Sequence, residues 1–188
     1  MNKNVPNILT VARVIAVPFF VWTYYKESFV AAFLIFVLAS LTDMLDGRIA
    51  RKYSLVSNFG KFMDPLADKI LTYSAFCLFT EFKIIPAYFL IIVLFREFAV
   101  AGIRMLAAEK GVVIAADMFG KIKTVLQMVS IPMYLFVSAA AQSIPALGGD
   151  VLYYIFRAAY WIMVASIVMT VISGYNYIAK NIGVLKDE

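Results

Sequence analysis

The 188-residue sequence contains no histidine and a single cysteine, Cys77. Without imidazole, any proton transfer must use Asp, Glu, Lys, Tyr or that one thiol, and any metal must be held mainly by oxygen. One cysteine excludes an intrachain disulfide and, set in an apolar segment, says nothing about redox compartment. Charge is scarce as well, at 15% of residues against about 25% in an ordinary soluble domain. No Pro/Gly/Ser-rich linker, internal repeat or low-complexity tract divides the chain, so a single domain spanning residues 1–188 is expected.

Apolar surface is what the chain has in excess. Hydrophobic residues make up 63% of it, against about 45–50% in soluble domains. On a water-facing particle of this size the surplus would form large sticky patches, so lipid is the expected solvent. The net charge of +5 does not point to nucleic acid. The basic residues are dispersed among apolar runs and form no stripe with interleaved aromatics, so no nucleic-acid partner is expected.

A membrane-crossing helix takes about 20 largely apolar residues. Six runs approach that size: residues 8–25, 29–50, 64–82, 84–106, 124–147 and 151–178. The expected fold is therefore an all-α integral membrane protein with six transmembrane helices. No small-residue cleavage site closely follows the first run, so it reads as a span and not a signal peptide, with residues 1–6 as an interfacial lead-in. Pro18 kinks that helix, which membrane helices tolerate. Assigning the connections to alternate sides puts Lys26, Lys83 and Arg157 on one face. The other receives twelve basic residues: Lys3, Arg48, Arg51, Lys52, Lys61, Lys69, Arg104, Lys110, Lys121, Lys123, Lys180 and Lys186. The positive-inside rule makes the second face cytoplasmic and places both termini there.

The second and third runs are the informative ones. The uninterrupted apolar stretch 29–41 has 13 residues, about 20 Å of helix, too short for a core of about 30 Å. It must recruit the residues C-terminal to it, including Asp43 and Asp46. The third must likewise recruit the stretch holding Asp64 and Asp68. A carboxylate at mid-bilayer costs about 2.5–3.5 kcal/mol on an insertion scale, so four of them at the membrane boundary need compensation. Spacings of three and four put each pair on one face of its helix, and the helices are sequential and antiparallel. Four converging carboxylates repel unless cations sit among them, and an oxygen-only donor set favours Mg²⁺ or Mn²⁺ over Zn²⁺.

Phosphate-binding features accompany them. Gly47 and Ala50 let a bulky group approach the helix, and Arg51 can fork onto a phosphate. Gly60, read as part of the connection before Asp64, permits a close approach near the start of the third helix, whose positive end favours anions. Arg96 and Glu97 interrupt the fourth run, Arg104 comes two turns later, and Lys121 with Lys123 opens the fifth helix. A metal pair with separate cationic groups suggests two anionic substrates, one a diphosphate and one a monophosphate. Plainer roles exist for several of these groups: a snorkelling Arg51, a purely structural Arg96 and Glu97 pair, topological charges at Arg104, Lys121 and Lys123, and capping or anchoring by Asn7, Thr10 and Arg13. Gly174 reads as a mark of close helix packing, and Tyr24, Tyr25, Tyr153, Tyr154 and Trp161 as interface or packing aromatics.

The string Asp43-x-x-Asp46-Gly47-x-x-Ala50-Arg51, eight residues, Gly60, three residues, Asp64, three residues, Asp68 resembles the complete signature of the CDP-alcohol phosphatidyltransferase family, matching at all eight fixed positions across 26 residues. The resemblance implies a six-helix membrane enzyme that transfers a phosphatidyl group from CDP-diacylglycerol to an alcohol and releases CMP. It implies two Mg²⁺ or Mn²⁺ ions held by Asp43, Asp46, Asp64 and Asp68, with Asp68 as the general base. It places Asp43, Asp46, Gly47, Ala50, Arg51, Ser57 and Gly60 around CDP-diacylglycerol, and it implies a homodimer. Pro6-Asn7 with Thr10 and Arg13, Arg96-Glu97-Phe98 with Gly102 and Arg104, and Gly120-Lys121-Ile122-Lys123-Thr124 resemble the bacterial phosphatidylglycerophosphate-forming branch. That implies glycerol 3-phosphate as the acceptor, its phosphate held by Asn7, Thr10, Arg13, Arg96, Arg104, Lys121 and Lys123. The setting would be phospholipid biosynthesis at a cell (plasma or inner) membrane, with a multi-pass chain and an active site facing the cytoplasm. The alternatives are cardiolipin synthesis with phosphatidylglycerol as acceptor, a membrane prenyltransferase, and, outside enzymes, a small cation carrier. Carboxylates clustered on one side beside arginines disfavour the carrier, which would spread them through the membrane depth.

Overall fold

Long apolar runs broken only by short polar turns satisfy their backbone groups internally, and helix is the form that does so within one segment. A computed structural model describes residues 5–53, 58–115, 117–144 and 146–185. Side chains are described in 9–42, 63, 66–67, 69–115, 117–144 and 146–183. The described residues form six α-helices and no strand: α1 Val5–Tyr25, α2 Phe29–Tyr53, α3 Asn58–Glu81, α4 Ala87–Glu109, α5 Met118–Ser143 and α6 Gly149–Lys180. A 3-10 turn, Ile182–Leu185, comes after α6 and touches α4.

Helices start earlier or end later than the apolar runs, because a helix continues into polar sequence as long as its backbone pairs. α3 begins at Asn58, six residues before the expected 64, so Gly60 lies inside the helix range and not in the connection, contrary to the sequence reading. α5 begins at Met118, six residues before the expected 124, so Lys121 and Lys123 sit within its first two turns. At about 1.5 Å per residue the shortest helix, α1 with 21 residues, is about 32 Å long. α5 and α6 are long and apolar enough to cross a membrane, while the apolar parts Leu9–Tyr25 and Phe29–Thr42 are shorter.

Three helices end in the same way. After α1, Ser28 N–H donates to the Thr23 carbonyl (2.9 Å) and Glu27 N–H to that of Tyr24 (3.0 Å); after α3, Ile84 pairs with Phe79 (2.8 Å) and Lys83 with Thr80 (3.1 Å); after α4, Val112 pairs with Ala107 (2.8 Å) and Gly111 with Ala108 (3.0 Å). This is the Schellman closure, which needs a left-handed residue. Gly111 supplies it at φ 73°, but Glu27 and Lys83 adopt φ 57° and 58°.

The described contacts group into two units. The first comprises residues 1–84 and 134–153. Its core is aromatic: Phe20 packs on Phe36 with centroids 5.6 Å apart, and Tyr24 meets Phe29 (5.3 Å), Phe79 (6.3 Å) and Phe82 (5.1 Å), while Phe79 meets Tyr134 (5.2 Å). Ala32 of α2 and Ala67 and Ala75 of α3 are fully buried, and α1 packs on both α2 and α3, which also touch each other. The second unit comprises residues 85–133 and 154–188. Phe89, Val93, Val100 and Ile103 of α4, Ile131 of α5, and Ala159, Met163 and Ile167 of α6 form its buried apolar part. Beside them lies a buried polar set, Lys123, Gln127 and Ser130 of α5 with Ser166, Thr170 and Ser173 of α6.

Candidate functional site

The polar set of the second unit has a helical logic. Lys123, Gln127 and Ser130 are spaced 4 and 3 along α5, and Ser166, Thr170, Ser173 and Tyr177 are spaced 4, 3 and 4 along α6, so each set occupies one face. Small hydroxyls that turn back on their own helix disturb it little. Thr170 Oγ1 donates to the Ser166 carbonyl and Ser166 Oγ to that of Met163, each at 2.7 Å.

Arg96 and Glu97 enter this set from α4, their side chains only 10% and 14% exposed. Arg96 Nη1 donates to Glu97 Oε1 at 3.0 Å, and the Lys123 ammonium donates to the same oxygen. Arg96 Nη2 donates to Ser173 Oγ at 2.6 Å. Two glycines leave space for the arginine. A Cβ at Gly120 would lie 2.8 Å from Arg96 Nη2, and one at Gly174 would lie 3.1 Å from Arg96 Cγ. Gly120 on α5 and Gly174 on α6 therefore form a slot for the guanidinium and its stem. Further along α4, Arg104 Nε donates to the Tyr177 hydroxyl at 3.0 Å, with the guanidinium carbon 5.5 Å from that ring's centroid. Tyr177 is itself buried against Val100 and Ile103, which fixes the phenol.

These groups line a cavity of about 350 Å³ bounded by Arg96, Glu97, Arg104, Asp117, Gly120, Lys121, Lys123, Thr124 and Val125. Four cations face two carboxylates, which leaves two positive charges in surplus. Arg96 and Lys123 are nearly buried and share Glu97, while Arg104 and Lys121 are exposed; positive charge gathered in a cleft attracts an anion, and a phosphate monoester carries about −1.5 to −2 at neutral pH. Its volume is in the range of small-ligand sites, about 300–1,000 Å³. The arrangement can hold a phosphate monoester.

Of the residues expected to hold an acceptor phosphate, Arg96, Arg104, Lys121 and Lys123 line this one cavity. Thr10 and Arg13 belong to the first unit, where both are buried and Arg13 Nε donates to the Ala39 carbonyl at 3.4 Å. Asp43 and Asp46 fall within α2, Asp64 and Asp68 within α3. Their side chains, with those of Asn7, Ala50 and Arg51, lie outside the described residues, as do the surroundings of Gly47 and Gly60 and all of Ser57. Among the described residues no three acidic or cysteine side chains gather as a metal would require.

Sequence reasoning misses Asp117, Ser173 and Tyr177 as site residues, and takes Gly174 only as a packing residue. Ser173, Gly174 and Tyr177 are legible as a polar face spaced 3.6 residues per turn on an otherwise apolar helix. Asp117 directly precedes α5 and can be read together with the glycine and lysines that open that helix.

A family model described as CDP-alcohol phosphatidyltransferase matches residues 3–172. The chain is 37% identical to the CDP-diacylglycerol--glycerol-3-phosphate 3-phosphatidyltransferase of Bacillus subtilis (strain 168), over 97% of each sequence. It is 36% identical to the protein of the same name from Rickettsia bellii, over 94% of each. It is also 34% identical to a probable phosphatidylglycerophosphate synthase of Mycobacterium tuberculosis, over 94% of this chain and 81% of that protein.

Proposed function

The chain belongs to the CDP-alcohol phosphatidyltransferase family, and we propose that it transfers the phosphatidyl group of CDP-diacylglycerol to glycerol 3-phosphate, giving phosphatidylglycerophosphate and CMP. The observation that carries the choice of acceptor is the surplus of two positive charges in the cavity lined by Arg96, Arg104, Lys121 and Lys123 against Glu97 and Asp117. A phosphate monoester neutralises both, whereas the single diester charge of phosphatidylglycerol leaves one uncompensated.

The donor falls to the aspartates of α2 and α3, with Gly47, Ala50, Arg51, Ser57 and Gly60 around its CDP moiety. Asp43, Asp46, Asp64 and Asp68 make an all-oxygen donor set on two helices that touch each other, which suits two hard divalent ions, Mg²⁺ or Mn²⁺. Such ions supply neutralisation of the diphosphate and of the charge that develops on the leaving CMP. Asp68 accepts the proton of the primary hydroxyl of glycerol 3-phosphate. That oxygen bonds to the phosphorus bearing diacylglycerol, and the bond from this phosphorus to the CMP oxygen breaks, so CMP leaves with the electron pair. Arg96, Arg104, Lys121 and Lys123 hold the acceptor's phosphate, with Asn7, Thr10 and Arg13 of α1 assigned to the same substrate. Glu97 keeps Arg96 and Lys123 in place.

The setting we propose is a single domain of residues 1–188 with six transmembrane spans, both termini and the active site cytoplasmic, acting as a homodimer in a plasma or inner membrane. Twelve basic residues assigned to one face against three to the other support the orientation. A boundary site suits the substrates, since the donor's chains stay in lipid while glycerol 3-phosphate arrives from water.

The test is CMP release by the purified, detergent-solubilised protein given CDP-diacylglycerol and Mg²⁺, with glycerol 3-phosphate, phosphatidylglycerol, serine or inositol supplied in parallel. Release with glycerol 3-phosphate alone is expected. Release with phosphatidylglycerol instead would make cardiolipin the product, and no release with any acceptor would refute the transferase reading.

A further inference from the structure

Two residues that line the cationic cavity each carry a polar atom that is shielded from water and has no hydrogen-bond partner, Arg96 Nε and Asp117 Oδ2. One is a donor and the other an acceptor. Leaving such groups unsatisfied costs free energy, so each such atom in a native fold calls for an explanation. Arg96 Nε has one in the anion the cavity is charged to receive. Asp117 does not, because a carboxylate repels phosphate.

The two carboxylates of the cavity differ in this respect. Glu97 accepts from Arg96 and Lys123. Asp117 stands immediately before α5, where an aspartate ordinarily caps the free N–H groups of the first turn. Its backbone carbonyl accepts from Lys121 N–H at 3.3 Å, while its Oδ2 accepts nothing. Among the described residues no ion pair reaches Asp117, although four cations line the same cavity. An anion kept apart from the cations beside it lacks a neutral donor, and a ligand hydroxyl is such a donor.

We propose that Asp117 is a specificity-determining residue of the acceptor site, its carboxylate accepting a hydrogen bond from the secondary hydroxyl of glycerol 3-phosphate. The inference rests on the acceptor proposed above. In that substrate the phosphate is spoken for by the four cations and the primary hydroxyl by the phosphorus it attacks, so the secondary hydroxyl is the one polar group without an assigned partner. Asp117 gives the cavity a means of distinguishing a phosphorylated polyol from a phosphorylated simple alcohol. A site that hydrogen-bonds a substrate hydroxyl penalises the analogue lacking it, because the buried group is then left unpaired.

The experiment compares glycerol 3-phosphate with 3-hydroxypropyl phosphate, which keeps the phosphate and the primary hydroxyl and lacks the secondary one. CMP release is measured with both for the wild-type protein, Asp117→Ala and Asp117→Asn. A hydrogen bond to a charged group predicts a wild-type preference for glycerol 3-phosphate of roughly 10- to 100-fold in kcat/KM. Asp117→Ala should reduce the preference for glycerol 3-phosphate over the analogue to about one, any change that the altered charge of the cavity makes being common to both acceptors. Asp117→Asn, which keeps an acceptor oxygen without the charge, should fall between. Equal use of both acceptors by the wild type, or an equal loss on both in Asp117→Ala, would overturn the assignment. Absence of wild-type CMP release with either acceptor would instead overturn the acceptor reading itself, and the role of Asp117 with it.

Discussion

The ammonium of Lys123 on α5 donates to Glu97 Oε1 on α4, across 26 residues of sequence, and both side chains are almost wholly buried. Arg96 meets the same oxygen. One carboxylate thus holds two of the four cations of the cavity at a fixed spacing, and a buried pair of this kind is costly to break from one side. Removing one partner of such a pair costs about 3–5 kcal/mol, since it strands the other charge. Glu97→Ala should lower the thermal unfolding midpoint in detergent and raise KM for glycerol 3-phosphate, with Glu97→Gln retaining the fold better. An unchanged midpoint and KM in Glu97→Ala would show that the pair orders nothing.

The glycine slot predicts a different signature. Gly120→Ala places a methyl 2.8 Å from Arg96 Nη2, and the guanidinium is tied on either side by Glu97 and Ser173, so it must abandon one of them. We expect KM for glycerol 3-phosphate to rise by about fivefold or more, the worth of one hydrogen bond, with the unfolding midpoint little changed. A variant with normal kinetics would mean that Arg96 does not need its observed position.

Tyr177 is tested by removing a single atom. Tyr177→Phe keeps the ring that packs on Val100 and Ile103 and deletes the hydroxyl that Arg104 Nε meets at 3.0 Å. Steady-state rates should show KM for glycerol 3-phosphate up by about 3- to 10-fold, with KM for CDP-diacylglycerol unaffected. Equal effects on both substrates would indicate a general packing role.

Losing the proposed base removes turnover. Asp68→Asn should reduce kcat by about 10²- to 10⁴-fold while the protein stays folded, and chelation of divalent ions from the wild type should abolish CMP release until Mg²⁺ or Mn²⁺ is restored. Normal turnover by Asp68→Asn would remove Asp68 from the role of base.

Lys83 sets a stability prediction far from the chemistry. It closes α3 in the left-handed conformation, φ 58°, which costs a non-glycine residue about 1–2 kcal/mol, while glycine carries an unfolded-state penalty of about 0.5–1 kcal/mol. Lys83→Gly should therefore stabilise the protein by up to about 1 kcal/mol, read as a higher unfolding midpoint with unchanged activity.

Hydrophobic run length made the six helices legible in the sequence, because a chain so apolar has few other ways to satisfy its backbone. The ends were less so. Asn58 and Met118 begin their helices in polar stretches that a search for apolar runs discounts. The cations of the cavity were visible as charges interrupting apolar sequence, and Arg96, Arg104, Lys121 and Lys123 do meet around one space. The residues that orient them were hidden. Ser173 and Tyr177 look like ordinary members of a membrane helix, and only the arrival of Arg96 and Arg104 from a helix more than 70 residues earlier gives them a task. Arg13 and Arg96 look alike in the sequence, as charges inside apolar runs, and both are largely buried; the structure gives Arg13 a backbone carbonyl of α2 and Arg96 the side chains of Glu97 and Ser173.

Whether the cavity of the second unit receives the acceptor's phosphate is tested most sharply at Lys121, whose exposed side chain leaves the core untouched. Incorporation of radiolabelled glycerol 3-phosphate into lipid is measured for the wild type and Lys121→Gln while each substrate is varied in turn. The expected result is a KM for glycerol 3-phosphate raised by about tenfold, the loss of one charge-assisted contact, with KM for CDP-diacylglycerol unchanged. A rise confined to CDP-diacylglycerol, or no change in either, would mean that the acceptor's phosphate binds elsewhere.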